Sequence, residues 1–252
     1  MDIMREVLFL MAEADTARPP AYTTTLIHRS IRDRLGNDPY RKIKSRYNDL
    51  AMELCPGLRE RARRSGDPLL AASRLAIAGN IIDFGIFSSV DINGSVARAL
   101  EDRIAVDDYQ SFRRDVSEAQ KILYLLDNSG EIVFDMILIG ELARLGKKVK
   151  AVVKGSPVLN DATIDDAMQV NLGSLCEIID NGSDAVGTIL EWTSPEFQEE
   201  FRSAELIISK GQGNFETLVG KAKRTYFLFQ SKCDVVSREL GLSVGSMLLR
   251  KS

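Results

Sequence analysis

The sequence predicts an α/β protein, a mostly parallel sheet with helices on both faces, preceded by a helical N-terminal lobe. Two observations predict it. Through the first hundred residues, apolar side chains recur at helical spacing. From about residue 119, short continuous apolar runs alternate with helical segments, as in a parallel sheet covered on both sides. The division is expected at residues 1–118 for the helical lobe and 119–252 for the α/β lobe.

The elements follow in order. MREVLFLMAEA carries apolar residues at 4, 7, 8, 10 and 11, a helical stripe that Ala-Arg-Pro-Pro at 17–20 breaks. This helix has no clear cap, which suggests that residue 1 is not where the domain begins. A second helix runs from Tyr22 to about Leu35, and a third from Pro39 to about Arg64, with an interruption expected near Cys55-Pro56-Gly57. Pro68 suits a helix first turn, and LLAASRLAIAGNIID is apolar nearly all round, so that helix should be buried. Strands are expected at KILYLLD (121–127), KVKAVV (148–153), CEIID (176–180), ELIIS (205–209) and TYFLFQ (225–230). A helix ending at Gly146 follows the first of them. A short helix follows KGSPVLND, and further helices lie between the last two strands and after Cys233.

Composition narrows the chemistry. A net charge of −3 supplies no basic field for nucleic acid, and no apolar run nears the roughly 20 residues a membrane span needs. The N-terminus has acidic residues at 2, 6 and 13 and no signal-peptide pattern, so a cytoplasmic protein is expected. Cys55, Cys176 and Cys233 are scattered and odd in number, against a disulfide framework or a Cys-x-x-Cys zinc site. His28, the single histidine, reads as a surface residue of a polar-faced helix. Carboxylates, amides, lysines and hydroxyls remain, with whatever metal they hold.

In open parallel sheets ligands bind beyond the carboxyl ends of strands, and the polar clusters fall there. They are Asp127-Asn128-Ser129-Gly130-Glu131, Lys154-Gly155-Ser156-Pro157 with Asn160-Asp161-Ala162-Thr163, Asp180-Asn181-Gly182-Ser183-Asp184, and Lys210-Gly211-Gln212-Gly213-Asn214. Asp127, Asn128 and Asp161 are hard oxygen donors that suit Mg²⁺ or Mn²⁺. Alone, Asp127-Asn128-Ser129-Gly130 also reads as a turn and helix cap, and Asp161 as an N-cap. The Lys210 segment sets a cation, two glycines and two amides at a helix start, where an anion is favoured, and reads equally as a structural turn. Asn80 and Asp83, in a buried helix, need polar partners, either at the site or in a tie between lobes.

GNIIDFG (79–85), DNSGE (127–131), LNDAT (159–163), NGSDAVGT (181–188) and SKGQGNFE (209–216) together resemble the metal-dependent damage-control phosphatase family, over nearly the whole chain and in the expected order. The short archaeal members are closest in look. The resemblance implies a helical lobe on a Rossmannoid α/β lobe, and hydrolysis of phosphometabolites, sugar phosphates included, with Mn²⁺, Co²⁺, Ni²⁺ or Mg²⁺. It implies Asp127, Asn128 and Asp161 as metal ligands and Lys210 as a phosphate-contacting lysine, with Asp127, Asp161 and Lys210 catalytic. It marks Glu131, Asn160 and Asn214 as pattern positions, and these are expected around the substrate, a small phosphorylated metabolite, together with Lys210, Gly211 and Gly213 of the helix start and Asn80. Short members usually begin with a Cys-x-x-Cys segment, and this sequence has none.

The expected reaction is water attack on a phosphomonoester, with the metal and Lys210 meeting the charge on the phosphoryl oxygens. The alternatives are a carboxyl methyltransferase using S-adenosylmethionine, which ordinarily wants more glycines after the first strand than DNSGE offers, and a phosphometabolite-binding protein without turnover.

Overall fold

The computed structural model describes residues 3–79, 100–101, 103–221 and 224–252. Asn80 and most of GNIIDFG, singled out from the sequence, lie outside the described residues.

Helices α1 (Ile3–Ala12), α2 (Ala21–Leu35), α3 (Arg41–Arg63) and α4 (Pro68–Ala78) come first. Gly36 ends α2 in the left-handed conformation, at φ 68°, which a side chain would resist. Helix α3 passes through Pro56 unbroken, where an interruption was expected. Asp67 caps α4 by accepting the Leu70 N–H, and Pro68 fills the first turn. Among the described residues, no helix is long and apolar enough to cross a membrane.

Then come β1 (Val106–Asp107), α5 (Tyr109–Glu118), β2 (Lys121–Leu125), α6 (Glu131–Arg144), β3 (Lys148–Val153), α7 (Ile164–Gln169) and β4 (Glu177–Asp180). The chain continues through α8 (Pro195–Ser203), β5 (Leu206–Lys210), α9 (Gln212–Leu218), β6 (Thr225–Gln230), α10 (Asp234–Glu239) and β7 (Met247–Lys251). The seven strands lie in the order β1-β7-β6-β5-β2-β3-β4. All pairings are parallel except β6 with β7. The five strands expected from the sequence are β2 to β6. Strands β1 and β7 were not expected: one is two residues long, and the other is a terminal MLLRK run whose last residues are charged.

Successive residues of the central strands face opposite layers. Ile122 and Tyr124 join the core under α3, α4 and α6, while Leu123 and Leu125 join Phe197, Phe201 and Phe215 beneath α8 and α9. Packing does not break at residue 118. Tyr47, Ala51 and Leu75 of the N-terminal helices share one core with Ile132, Ile139 and the strands, and Val106–Asp107 hydrogen-bonds into the sheet. The N-terminal helices are therefore a layer of the α/β structure as much as a lobe beside it.

From β2 the chain adds β3 and β4 on one side, then crosses to add β5 and β6 on the other. The reversal lies between β2 and β5, and at such a point the loops diverge and open a crevice. Helix α2 lies against the loop after β4. Arg29 and Arg32 both pair with Asp184 (2.6 and 2.5 Å), and Thr25 Oγ1 accepts the Val186 N–H. Burial would raise the Asp184 carboxyl, but the hydrogen bonds from Arg29 and Arg32 outweigh it and hold the pKa at about 2.

A depressed carboxyl contributes stability above its unfolded pKa, about 3.9, and loses it as pH falls toward the folded value. The wild type should exceed Asp184→Asn in stability at pH 7 by roughly 1 kcal/mol, after discounting for solvent screening at a partly exposed pair. Urea unfolding from pH 7 down to about 2 should show that difference shrinking below about pH 4; a gap independent of pH contradicts the assignment.

Candidate active site

The reversal between β2 and β5 brings together the clusters after β2, β3 and β5, while Asp180–Asp184 lies after β4 against α2. Leaving β2, the chain runs alongside the loop after β3. Asn128 and Asp161 form an antiparallel bridge, Ala162 N–H donates to Asp127 O (2.8 Å), and Ser129 N–H donates to Asn160 O (2.9 Å). These backbone bonds hold Asp127, Asn128 and Asp161 side by side. Asn128 and Asp161 are buried, while Asp127 keeps partial exposure.

Carboxylates crowd one another here. Burial pushes the Asp127 carboxyl well above the usual range; Glu131 and Asp161 push the same way, against Lys232 and Lys154. Burial also raises Asp161, opposed by Lys154 and Lys44. Asp161 Oδ2 accepts no well-directed hydrogen bond, although Lys154 Nζ lies 3.3 Å away and itself donates to Gly187 O. Asn128 turns Nδ2 toward Asp127 Oδ2 (2.9 Å) and Glu131 Oε2 (3.3 Å). Among the described residues no three His, Cys, Asp or Glu side chains converge as a metal site. The donor set here is two carboxylates and an amide, and a half-turn of that amide exchanges its nitrogen for its carbonyl oxygen. Repelling carboxylates and a buried acceptor atom are what a hard cation satisfies, so these residues fit one.

Lys210 was expected on the phosphate, and its geometry points elsewhere. The side chain is fully buried, and Nζ meets Glu131 Oε1 (2.5 Å), Asp135 Oδ1 (2.9 Å) and Ala76 O (2.8 Å). An ammonium has three protons, and all three are taken. Burial would lower its pKa, but the Asp135 and Glu131 carboxylates outweigh it and raise the value. Tyr124 donates to Asp135 Oδ1 (2.7 Å), while burial first, with repulsion from Glu131, leaves the Asp135 carboxyl at about 6 despite Lys210. Lys210 thus holds Glu131, whose other oxygen faces Asn128, and reaches the site at second hand. Glu131 and Asp135 stand four apart in the apolar helix EIVFDMILIG, a sequence signal that was available and not used.

The rest of the glycine-rich segment braces the crevice. Gly211 has φ 83°, and a Cβ there would stand 2.1 Å from Asp127 Oδ2. Asn214 is buried, donating to Lys210 O (2.8 Å) and Leu126 O (3.4 Å) and accepting from Thr188 Oγ1 (2.7 Å). Gly213 presents its carbonyl so close to Gly187 that a Cβ on Gly187 would meet it at 2.3 Å. Gly213 and Asn214 are therefore packed here, while Asn160, partly exposed, lies at the ligand loops. Lys232, exposed on the loop after β6, was not singled out from the sequence. Its backbone N–H donates to Gln212 Oε1 (2.9 Å), beside Gly211, and its charge acts on Asp127. His28 is half-buried rather than on the open surface, lining a 170 Å³ cavity with Arg32, Tyr40 and Leu159.

Known proteins place the chain. The sequence matches the damage-control phosphatase ARMT1-like domain over residues 1–248. The chain belongs to the damage-control phosphatase family. Proteins named damage-control phosphatases in Archaeoglobus fulgidus and Pyrococcus horikoshii are 34% and 35% identical to it, the alignments covering 97% and 100% of this chain and 87% and 90% of theirs. An uncharacterized protein of Methanocaldococcus jannaschii is 38% identical over 92% of this chain and 80% of its own. The crystal structure of the Pyrococcus horikoshii DUF89 family protein superposes with a TM-score of 0.90 at 34% identity, covering 99% of this chain and 88% of that one.

The close approach of Gly211 to Asp127 gives a direct test of this candidate site. Gly211→Ala should displace Asp127 and cut phosphatase turnover by roughly 10² or more, since misplacement by about 1 Å costs that much. Circular dichroism should stay unchanged; near wild-type turnover in a folded variant contradicts the geometry.

Proposed function

We propose that this member of the family is a divalent-metal-dependent phosphatase that hydrolyses phosphomonoesters of small metabolites, sugar phosphates among them. The reading rests on one observation: the topological switch point sets Asp127, Asn128 and Asp161 side by side, two carboxylates and an amide in one cluster. The names of the archaeal relatives support the hydrolytic class. The cation would be Mn²⁺, Co²⁺, Ni²⁺ or Mg²⁺, all of which oxygen donors accept. The three cysteines are free, in keeping with the cytoplasmic location proposed with this activity. Neither methyl transfer nor turnover-free binding has an observation of its own.

Asp127, Asn128 and Asp161 would hold the cation. When bound, such a cation neutralises phosphoryl oxygens and lowers the pKa of an attacking water. The chain's own residues divide the remaining work. Lys154 steadies Asp161 and ties it to Gly187 O. Glu131, fixed by Lys210 on one oxygen, accepts from the Asn128 amide with the other, a bond the amide would give up on turning its carbonyl to a cation. Lys232 supplies exposed positive charge at the rim, where an anionic substrate arrives.

Phosphate release from a panel of phosphate esters, with and without chelator, tests the reading. Chelation should abolish turnover and one of the four metals restore it; Asp127→Ala and Asp161→Ala should each lose metal binding and activity while staying folded. Full turnover after chelation, with metal absence verified by elemental analysis, overturns it.

The two lysines should separate in kinetics. Lys232→Ala should raise KM roughly tenfold with metal affinity nearly unchanged, as expected when an exposed charge that attracts the substrate is lost. Lys210→Met should weaken metal binding and lower kcat, because it frees Glu131 and leaves two carboxylates buried without their cation. Isothermal titration beside steady-state kinetics decides; the reverse pattern returns Lys210 to the phosphate.

A further inference from the structure

The cation donors come from two loops, Asp127-Asn128 after β2 and Asp161 after β3, and a third element fastens both. Asn48, fully buried on α3, accepts the Gly130 N–H at Oδ1 (2.6 Å). Its Nδ2 donates to Asp166 Oδ1 (3.1 Å) and Gln169 Oε1 (2.9 Å). Gly130, at φ 77°, begins the helix behind Asp127-Asn128, and a Cβ on it would crowd Tyr47 of α3 at 3.1 Å. Asp166 stands in the first turn of the helix behind Asp161: its Oδ2 receives the Thr163 N–H (2.9 Å) and hydroxyl (2.8 Å) in a capping box. One turn before Asn48, buried Lys44 pairs with the same Asp166 oxygen at 2.8 Å and with Asp38 at 3.5 Å.

A buried amide with both donors and its acceptor engaged has one orientation, and here that orientation spans the two loops. Metal–oxygen distances tolerate only about 0.2 Å, so the separation of two donor loops must be set by something stiffer than the loops. We propose that Asn48 and Lys44 form a clamp on α3 that fixes the spacing of Asp127-Asn128 from Asp161, acting as positioning residues for the cation site. The inference rests on the cation reading above. It gives α3 a part in catalysis without contact to substrate, and explains why a charged helix segment, RKIKSRYND, buries a lysine and an asparagine.

Mn²⁺ titrated calorimetrically into the full chain tests it, with thermal unfolding recorded for every variant. Asn48→Leu removes both ties at similar volume. Asn48→Asp keeps an acceptor for Gly130 but loses the donors, and Lys44→Met removes the ammonium on Asp166. Val116→Ala, in the core on α5, is a control for stability loss alone. Asn48→Leu should weaken Mn²⁺ binding about 10–100-fold, the usual cost of removing an outer-shell partner, with Lys44→Met smaller in the same direction and Val116→Ala unchanged. Affinities of the folded clamp variants within about twofold of wild type, below that usual cost, overturn the clamp, as does equal weakening by Val116→Ala. Should Asn48→Leu not fold, Asn48→Asp and Lys44→Met decide by the same comparison; failure of all three to fold makes the residues structural and overturns it too. Absence of Mn²⁺ binding by the wild type removes the cation reading and the clamp together, whereas wild-type binding with unchanged variants removes the clamp alone.

Discussion

The ammonium of Lys210, buried among Glu131, Asp135 and the Ala76 carbonyl, is the interaction on which the site's layout depends. It joins β5 to α6 and to the end of α4. Burying one cation with two carboxylates is costly unless every contact is made, and removing any member strands a charge in the core. That cost makes the arrangement specific. With Lys210 in place, Glu131 has one position, and through Glu131 the Asn128 amide is held beside Asp127 and Asp161.

From this follows a division of labour. The strand-end loops carry Asp127, Asn128 and Asp161, backbone bonds between the loops set their order, and buried polar residues of the N-terminal helices and α6 pack behind them. Glycines stand where atoms would otherwise collide, as at Gly211 against Asp127. The N-terminal helices are thus part of the enzyme's working structure. They share its core, cover the loop after β4 through Arg29 and Arg32, and reach both donor loops through Asn48 and Lys44.

The parallel sheet was legible in the sequence because strands buried on both faces are continuous apolar runs. Strands β2 to β6 fall within a residue or two of where KILYLLD, KVKAVV, CEIID, ELIIS and TYFLFQ place them. Strand β7 pairs antiparallel at the side of the sheet and offers only three apolar residues, so no such run marks it. The cluster was legible too, since Asp127, Asn128 and Asp161 stand at strand ends and the loops bring them side by side. What a side chain does from there was not. Nothing in Lys210-Gly211-Gln212-Gly213-Asn214 says that the lysine turns inward to two carboxylates on another helix. Asn48 and Lys44 sit among charged neighbours, and only their burial marks them.

The central claim is the place of the cation. Crystals grown with Mn²⁺, with data collected on either side of the manganese absorption edge, locate that ion independently of any assay. One anomalous peak should appear, bounded by the Asp127 and Asp161 carboxylates and the Asn128 amide, with Glu131 still on Lys210. A peak elsewhere, or none between those side chains at saturating Mn²⁺, would contradict the claim.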